Sequence, residues 1–304
     1  MTGPPPATAA VRVAVRRCVA GLDGPVAAAV SGGADSLALA AALAFERPGS
    51  LALVVDHGLQ VGSAEVAARA AALCRDLGLE PHVLTAAPGG GGGGPEGAAR
   101  ATRYAALDAA VGELGLTAVL LGHTLDDQAE TVLLGLARGA GARALAGMAH
   151  RPPYRRPLLG VERATTHAAC AEMGIVPWQD PHNDAPAYAR VRVRTRVLPV
   201  LEAELGPGIA AALARSAAQL REDADALDAL TPDTDDVAEL AALPAALRTR
   251  ALKRWAERQC GSAVTSAHVD ALRALVEDWR GQGAVALPGG VQVMRRDGRL
   301  ASQA

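Results

Sequence analysis

The stretch Val26–Leu43, VAAAVSGGADSLALAAAL, constrains the fold more than any other part of the chain. An apolar run of strand length meets the turn Ser31-Gly32-Gly33-Ala34-Asp35-Ser36, and a second apolar run of helical character follows. Glycines at a strand-to-helix junction let backbone N–H groups approach an anion, and the helix start adds its positive dipole end. Ser31 and Ser36 can add hydroxyl donors to the same anion. A nucleoside-triphosphate loop of the GxxxxGK[ST] kind carries a lysine that is absent here. Asp35 stands in the turn instead, and a carboxylate beside phosphate calls for a cation between them, Mg²⁺ being the natural one. The bland alternative is a capped turn, in which the serines and the aspartate satisfy the first N–H groups of the helix.

Alternation extends the pattern. Val26–Val30, Leu51–Val55, Val83–Thr85 and Ala118–Leu121 read as buried strands, and Leu37–Phe45, Ser63–Leu77, Arg100–Leu114 and Asp127–Ala137 as the helices between them. This predicts an α/β fold with a doubly wound, mostly parallel sheet. The run Gly89–Gly94 interrupts it, as a plain surface loop or a lid beside the site. Past Arg151 the texture turns proline- and arginine-rich, with a helix from about Arg163 to Met173. Further helices run from Gly208 towards Arg280, and a β-hairpin is expected around Pro288-Gly289-Gly290. A boundary near Gly206–Gly208 gives a first domain over 1–206 and a smaller, mainly helical one over 207–304.

With 304 residues, half of them hydrophobic, the chain can build two cores, and disorder is excluded. A formal net charge of -2 means that any polyanion must be met by a local patch. Cys18, Cys74, Cys170 and Cys260 show no CxxC or metal-ligand spacing, which suits reduced thiols in a cytoplasmic protein. The apolar stretches fall short of a membrane span, and MTGPPPATAA, with no charged start and apolar core, is not expected to be a signal peptide.

Ligands in an open parallel sheet gather at the carboxyl ends of the strands. Asp56 and His57 lie at one such end, and Gly122 and His123 at another. In LDDQAET, Asp126, Asp127 and Glu130 can share one helix face, either complementing the dipole or holding Mg²⁺ or a substrate amine. Arg190, Arg192, Arg194 and Arg196 recur at period two, as the wet face of a strand or as a phosphate-contact patch for nucleic acid. Arg248, Arg250, Lys253 and Arg254 form a second stripe, at helical spacing, that suits RNA or plain solvent equally. Aromatic residues make up only 2% of the chain, so RNA would be recognised by shape and backbone rather than by stacking.

The hexapeptide resembles the SGGxDS motif of the PP-loop ATP pyrophosphatases. That resemblance implies an adenine nucleotide alpha hydrolase-like fold and cleavage of ATP between the α- and β-phosphates, with pyrophosphate leaving into the loop. No γ-phosphate is transferred, so the missing lysine is no loss. LLGHTLDDQAETVLLGLARGAGARALAGM narrows the likeness to the tRNA(Ile)-lysidine synthetases, which carry GHxxDDQxET. ARATRY, RPLL, WQDPHN and ARVRVRTRVLP follow in the family's order, and LPAALRTRALKRW and VALPGGVQVMRR resemble its C-terminal domain. Val191 stands where that family usually has asparagine, which removes one polar contact.

The resemblance implies ATP, Mg²⁺, L-lysine and an isoleucine tRNA with anticodon CAU, and is compatible with a homodimer. It implies nucleotide contacts at Ser31, Gly32, Gly33, Ala34, Asp35, Ser36, Asp56, His57, Gly122 and His123, with metal at Asp35 and Asp127. Asp35, Asp127, Glu130 and Arg103 are the implied catalytic set, Arg103 against the adenylated cytidine or a phosphate. Arg190, Arg192, Arg194 and Arg196 are implied on the RNA. Two other readings remain: another tRNA-modifying or amide-forming enzyme on the same loop, and a nucleotide sensor without turnover. Thiolation would call for a cysteine pair that the chain lacks, and a sensor would not need the arginine block.

Overall fold

The computed structural model describes residues 3–56, 58, 62–85, 94–178 and 187–303. Gly89–Gly93 of the glycine run, His57, and most of WQDPHN lie outside the described residues. The chain divides into two compact units, Met1–Gln219 and Leu220–Ala304, and the division falls inside one long helix just beyond Gly208.

The first unit runs α1 (Pro6–Val19), β1 (Val26–Val30), α2 (Ala34–Glu46), β2 (Leu51–Asp56), α3 (Ser63–Asp76), β3 (Glu80–Thr85), α4 (Gly94–Glu113) and β4 (Ala118–Leu120). It continues through α5 (Leu125–Leu136), α6 (Ala142–Leu145), β5 (Tyr154–Arg155), α7 (Arg163–Glu172), α8 (Ala189–Arg192), a π-helical turn Val193–Val197, α9 (Leu198–Leu205) and α10 (Ile209–Leu230). All five strands are parallel, in the order β3-β2-β1-β4-β5. The chain therefore winds outward from β1 in one direction and then restarts at β4 on its other side. That reversal between β1 and β4 opens a crevice at their carboxyl ends.

Strands and helices form where apolar residues can be covered on both sides. On α2, Leu37, Leu39 and Leu43 are fully buried, together with the alanines between them. One face of α2 meets the sheet and the other meets α1 and α7, which is why its sequence is apolar all round. Each buried leucine contributes ~1.5–3 kcal/mol relative to exposure. Leu107 and Ala110 of α4 cover the opposite face of the sheet with Leu53, Val119 and Tyr154. The fold is thus the doubly wound one expected.

Helix α1 and strand β5 were among the elements not foreseen. Helix α1 places Val11, Val15 and Val19 on one buried stripe. Strand β5 is only two residues long and sits inside a proline-rich stretch, which hides its period.

The second unit holds the end of α10, then α11 (Val237–Ala242), α12 (Ala245–Cys260), α13 (Ser266–Glu277), β6 (Val285–Ala286), β7 (Gln292–Arg296) and β8 (Arg299–Gln303). Leu240, Leu252, Leu272, Leu275, Val293 and Leu300 form its core. β6 and β7 pair antiparallel around Pro288–Gly290, as expected, and β8 adds a second hairpin at Asp297-Gly298. Both turn residues there have positive φ, 50° and 76°, the conformation that tight hairpin turns require. Among the described residues, no single helix is long and apolar enough to cross a membrane.

Candidate active site

The loop after β1 is folded ready for an anion. Gly32 sits at φ +85°, open to glycine at no steric cost, and its carbonyl accepts from Trp178 N at 2.9 Å. Ser31 N donates to Ser36 Oγ at 3.1 Å, and Ser36 Oγ donates to the Gly33 carbonyl at 2.9 Å. Gly33 occupies the cap position of α2, and no side chain caps the helix there. Among the described residues, neither serine nor Asp35 bonds the first N–H groups of α2, which point to the mouth of the loop as an anion site requires.

Gly122, just past β4, closes the crevice from the other side. A Cβ built on it would lie 3.1 Å from the backbone of Asp35 and Ser36, so glycine lets the end of β4 approach the first turn of α2 without displacing it. A cavity of about 690 Å³ opens above them, a volume suited to a nucleotide. Ser31, Gly33, Ala34, Asp35, Ser36, Arg103, Gly122, His123 and Asp127 line it, with Trp178 and Ile175 on its apolar wall.

Asp35 leaves the helix start and turns towards α7. One carboxylate oxygen accepts from the hydroxyl of Thr166, and the other lies 3.7 Å from Arg163 Nε. Burial raises its pKa above the usual carboxylate range, against the opposing pull of Thr166 and Arg163. Asp127 divides its oxygens. Oδ2 accepts from Thr124 N at 2.8 Å and from Thr124 Oγ1 at 3.0 Å, which caps α5. Oδ1 faces Arg163 Nη2 at 2.8 Å and Arg194 Nη2 at 3.7 Å. Burial acts to raise this carboxyl, but Arg163 and the Thr124 amide outweigh it and hold it low.

Glu130 takes a different place. Its side chain is fully buried and does not line the cavity. Arg163 Nη1 at 3.1 Å, Arg190 Nε at 3.3 Å and Arg194 Nε at 2.8 Å converge on it. It reaches the site through Arg194, which lines the cavity, rather than by its own carboxylate.

The arginine block is helical, not a strand. Period two is also the sum of two interleaved i,i+4 series, and the helix separates them. Arg190 and Arg194 turn inward to Glu130, while Arg192 and Arg196 face outward and are exposed. Of the upstream arginines, Arg156 is buried, bonded to the Ala149 carbonyl and, at 3.2 Å, to Tyr104 Oη. In the second unit Arg248 bonds the carbonyls of Ala241 and Leu243, Arg250 bonds Asp228, and Arg254 bonds the carbonyls of Thr231 and Asp228. Most of that stripe serves the unit's own packing.

Arg103 is half-buried at the cavity wall and, among the described residues, has no acidic partner. Burial, with Arg100 and Arg190 nearby, lowers its pKa from the ordinary arginine value. His123 also faces the cavity, its Nδ1 without a hydrogen-bond partner among the described residues. Burial keeps this ring neutral, its pKa well below the usual histidine range. Asp56, by contrast, accepts from the Gly58 amide at 3.0 Å and does not line the cavity. Arg163 and Thr166 are the site residues that the sequence did not single out. Both approach from α7, with no local motif to mark them.

The parallel sheet, its reversal at β1 and β4 and the loop between them define a PP-loop domain, and residues 19–201 match the PP-loop domain family. Residues 236–301 match the TilS substrate binding domain family. The tRNA(Ile)-lysidine synthase of Thermobifida fusca is 53% identical over 99% of this chain and 98% of its own length. That of Leifsonia xyli is 54% identical over 89% of this chain and 87% of its own. The chain belongs to the tRNA(Ile)-lysidine synthase family. Among solved structures, the U34-tRNA thiolase NcsA from Methanococcus maripaludis shares the fold, at TM-score 0.60 and 20% identity over 71% of this chain and 80% of its own. As a PP-loop ATP pyrophosphatase, the chain uses ATP.

Proposed function

We propose that this chain ligates L-lysine to the 2-carbon of the wobble cytidine in the CAU anticodon of isoleucine tRNA. The cytidine 2-oxygen attacks the α-phosphate of ATP, and pyrophosphate leaves towards the Ser31–Ser36 loop. The lysine ε-amine then displaces AMP at the ring carbon. The modified base pairs with A instead of G, changing the codon read from AUG to AUA and the amino-acid identity from methionine to isoleucine.

One observation supports the placement of the chemistry: Asp35 and Asp127 meet at a single cation, now the guanidinium of Arg163, on the floor of the cavity beside the uncapped helix. Mg²⁺ fits this donor set, since it binds one or two carboxylates and completes its shell with phosphate oxygens and water. Asp35 and Asp127 Oδ1 would hold it. When bound it would neutralise charge on the phosphates. Among the described residues Arg103 has no acid to answer, and it faces the same space, a position suited to phosphate or to the adenylated cytidine. His123 is neutral, so it offers a hydrogen bond without a charge. Glu130 orients Arg194 at the cavity wall. Arg192 and Arg196 lie outward for the RNA backbone. The first unit carries the catalysis and the second grips the tRNA, in the cytoplasm.

Purified protein, ATP, labelled lysine and isoleucine tRNA test this directly. Mass analysis of the wobble nucleoside should show cytidine plus lysine less water. An unmodified cytidine after ATP consumption would refute the assignment. Asp35→Ala should abolish pyrophosphate release that depends on both lysine and tRNA.

A further inference from the structure

We propose that Arg163 is a resident counter-cation of the metal position, holding Asp35 and Asp127 together in the free protein and releasing them when a divalent cation arrives with a phosphate ligand. This rests on the assignment of Asp35 and Asp127 to the metal. Arg163 is the first residue of α7, and its backbone N–H donates to Asp126 Oδ2 at 2.7 Å, so its side chain starts from a fixed point. From there the guanidinium spans the acids of the site: Nη2 to Asp127 Oδ1 at 2.8 Å, Nη1 to Glu130 Oε1 at 3.1 Å, and Nε to Asp35 Oδ2 at 3.7 Å.

The oxygen inventory creates a competition. Asp127 Oδ2 is committed to Thr124, and one oxygen of Asp35 is committed to Thr166. The remaining oxygens, Asp127 Oδ1 and Asp35 Oδ2, are the two that Arg163 contacts. A metal ion and a guanidinium cannot share them without strong repulsion across a buried gap.

Charge makes the exchange conditional. Asp35, Asp126, Asp127 and Glu130 are matched in number by Arg163, Arg190 and Arg194 together with Arg103 on the cavity wall. A divalent ion entering alone would leave this buried cluster with uncompensated positive charge. An arriving phosphate chain removes that obstacle, since it both screens the metal and accepts the displaced fork of Arg163, which lines the cavity. Metal and phosphate should therefore bind cooperatively, and the metal alone should bind poorly.

Mn²⁺ without nucleotide is the probe, read by electron paramagnetic resonance on the full chain. Arg163→Gln should bind Mn²⁺ alone at least about tenfold more tightly than the wild type, because its competitor is gone. Arg163→Lys, which keeps the charge, should stay near the wild type, and Asp35→Asn in the Arg163→Gln background should erase the gain. Pyrophosphate should strengthen Mn²⁺ binding more in the wild type than in Arg163→Gln. If Arg163→Gln binds Mn²⁺ alone no better than the wild type, the proposal is overturned. A second readout needs no neutral variant: the Arg163 Nε–H resonance of the wild type, assigned by its loss in Arg163→Lys, should shift when Mg²⁺ and pyrophosphate are added together. An unmoved resonance overturns the proposal equally. If wild-type protein binds no Mn²⁺ even with ATP present, the metal assignment fails, and the role of Arg163 fails with it.

Discussion

Arg194 Nε lies 2.8 Å from Glu130 Oε1, and the contact ties the helical arginine block to α5 beside the cavity. Glu130 is fully buried, so its charge is tolerable only because arginines surround it. Glu130→Gln leaves Arg163, Arg190 and Arg194 facing one another without their shared anion. Breaking such a network costs about 3–5 kcal/mol. Urea denaturation should show a loss of that order, where Asp35→Asn, at the cavity floor, loses far less. Equal losses in the two variants would mean that Glu130 is not the anchor.

The outward pair, Arg192 and Arg196, should behave oppositely to the inward pair. Each phosphate contact adds about 0.7–0.9 to the slope of log affinity against log salt. Arg192→Ala with Arg196→Ala should weaken tRNA binding and reduce that slope by about 1–2, with the KM for ATP unchanged. Arg194→Ala should instead lower turnover. Filter binding of tRNA over a salt series, beside steady-state kinetics, separates the two pairs. An unchanged slope in the outward double variant would remove these arginines from the RNA surface.

Gly122 offers a purely steric test. A methyl group there would press on the Asp35 and Ser36 backbone at 3.1 Å, so the phosphate loop must shift by a few tenths of an ångström. Overpacking of this kind costs ~1–3 kcal/mol of stability. Misplacing reacting groups by even this much has a larger effect on rate, up to about 100-fold for a full ångström. Gly122→Ala should therefore stay folded by circular dichroism while kcat for pyrophosphate release falls by about 10-fold or more. A variant with full turnover would show that the loop adjusts freely.

Much of this site was legible because it is local. The turn Ser31–Ser36 carries its strand, glycines and helix start within one short segment, and Asp127 opens a helix beside its own capping threonine. Arg163 was not legible, because it meets Asp35 and Asp127 only after the strand order switches sides at β4 and α7 folds back on α2. The arginine block was open to a strand reading because alternation and paired i,i+4 series produce the same letters. Burial of alternate arginines on Glu130 decides between them. Asp56 sits at a strand end as expected, where it accepts from the Gly58 amide, and Leu53 and Val55 of the same strand line the cavity.

His123 links the site to the stability of the fold through pH. Burial is the largest influence on its ring, and Arg156, Arg100 and Arg103 push the same way, against Asp127, so the folded protein holds it neutral well below the ordinary histidine pKa. The unfolded chain protonates it at about 6.5. Below that pH the unfolded state binds a proton that the folded state refuses, so stability is complete above the ordinary value and is lost as pH falls towards the depressed one. The slope from this one residue approaches about 1.4 kcal/mol per pH unit. His123→Asn removes the titrating group while keeping a polar side chain at the cavity. Urea unfolding of both proteins at pH 8, 7, 6 and 5 should therefore show the wild type losing stability faster than the variant below neutrality, with parallel behaviour above about pH 7.5. Parallel curves across the whole range would mean that the ring accepts a proton in the folded state. It would then stand in the cavity as a cation, and a neutral hydrogen-bonding role beside the phosphates would be untenable.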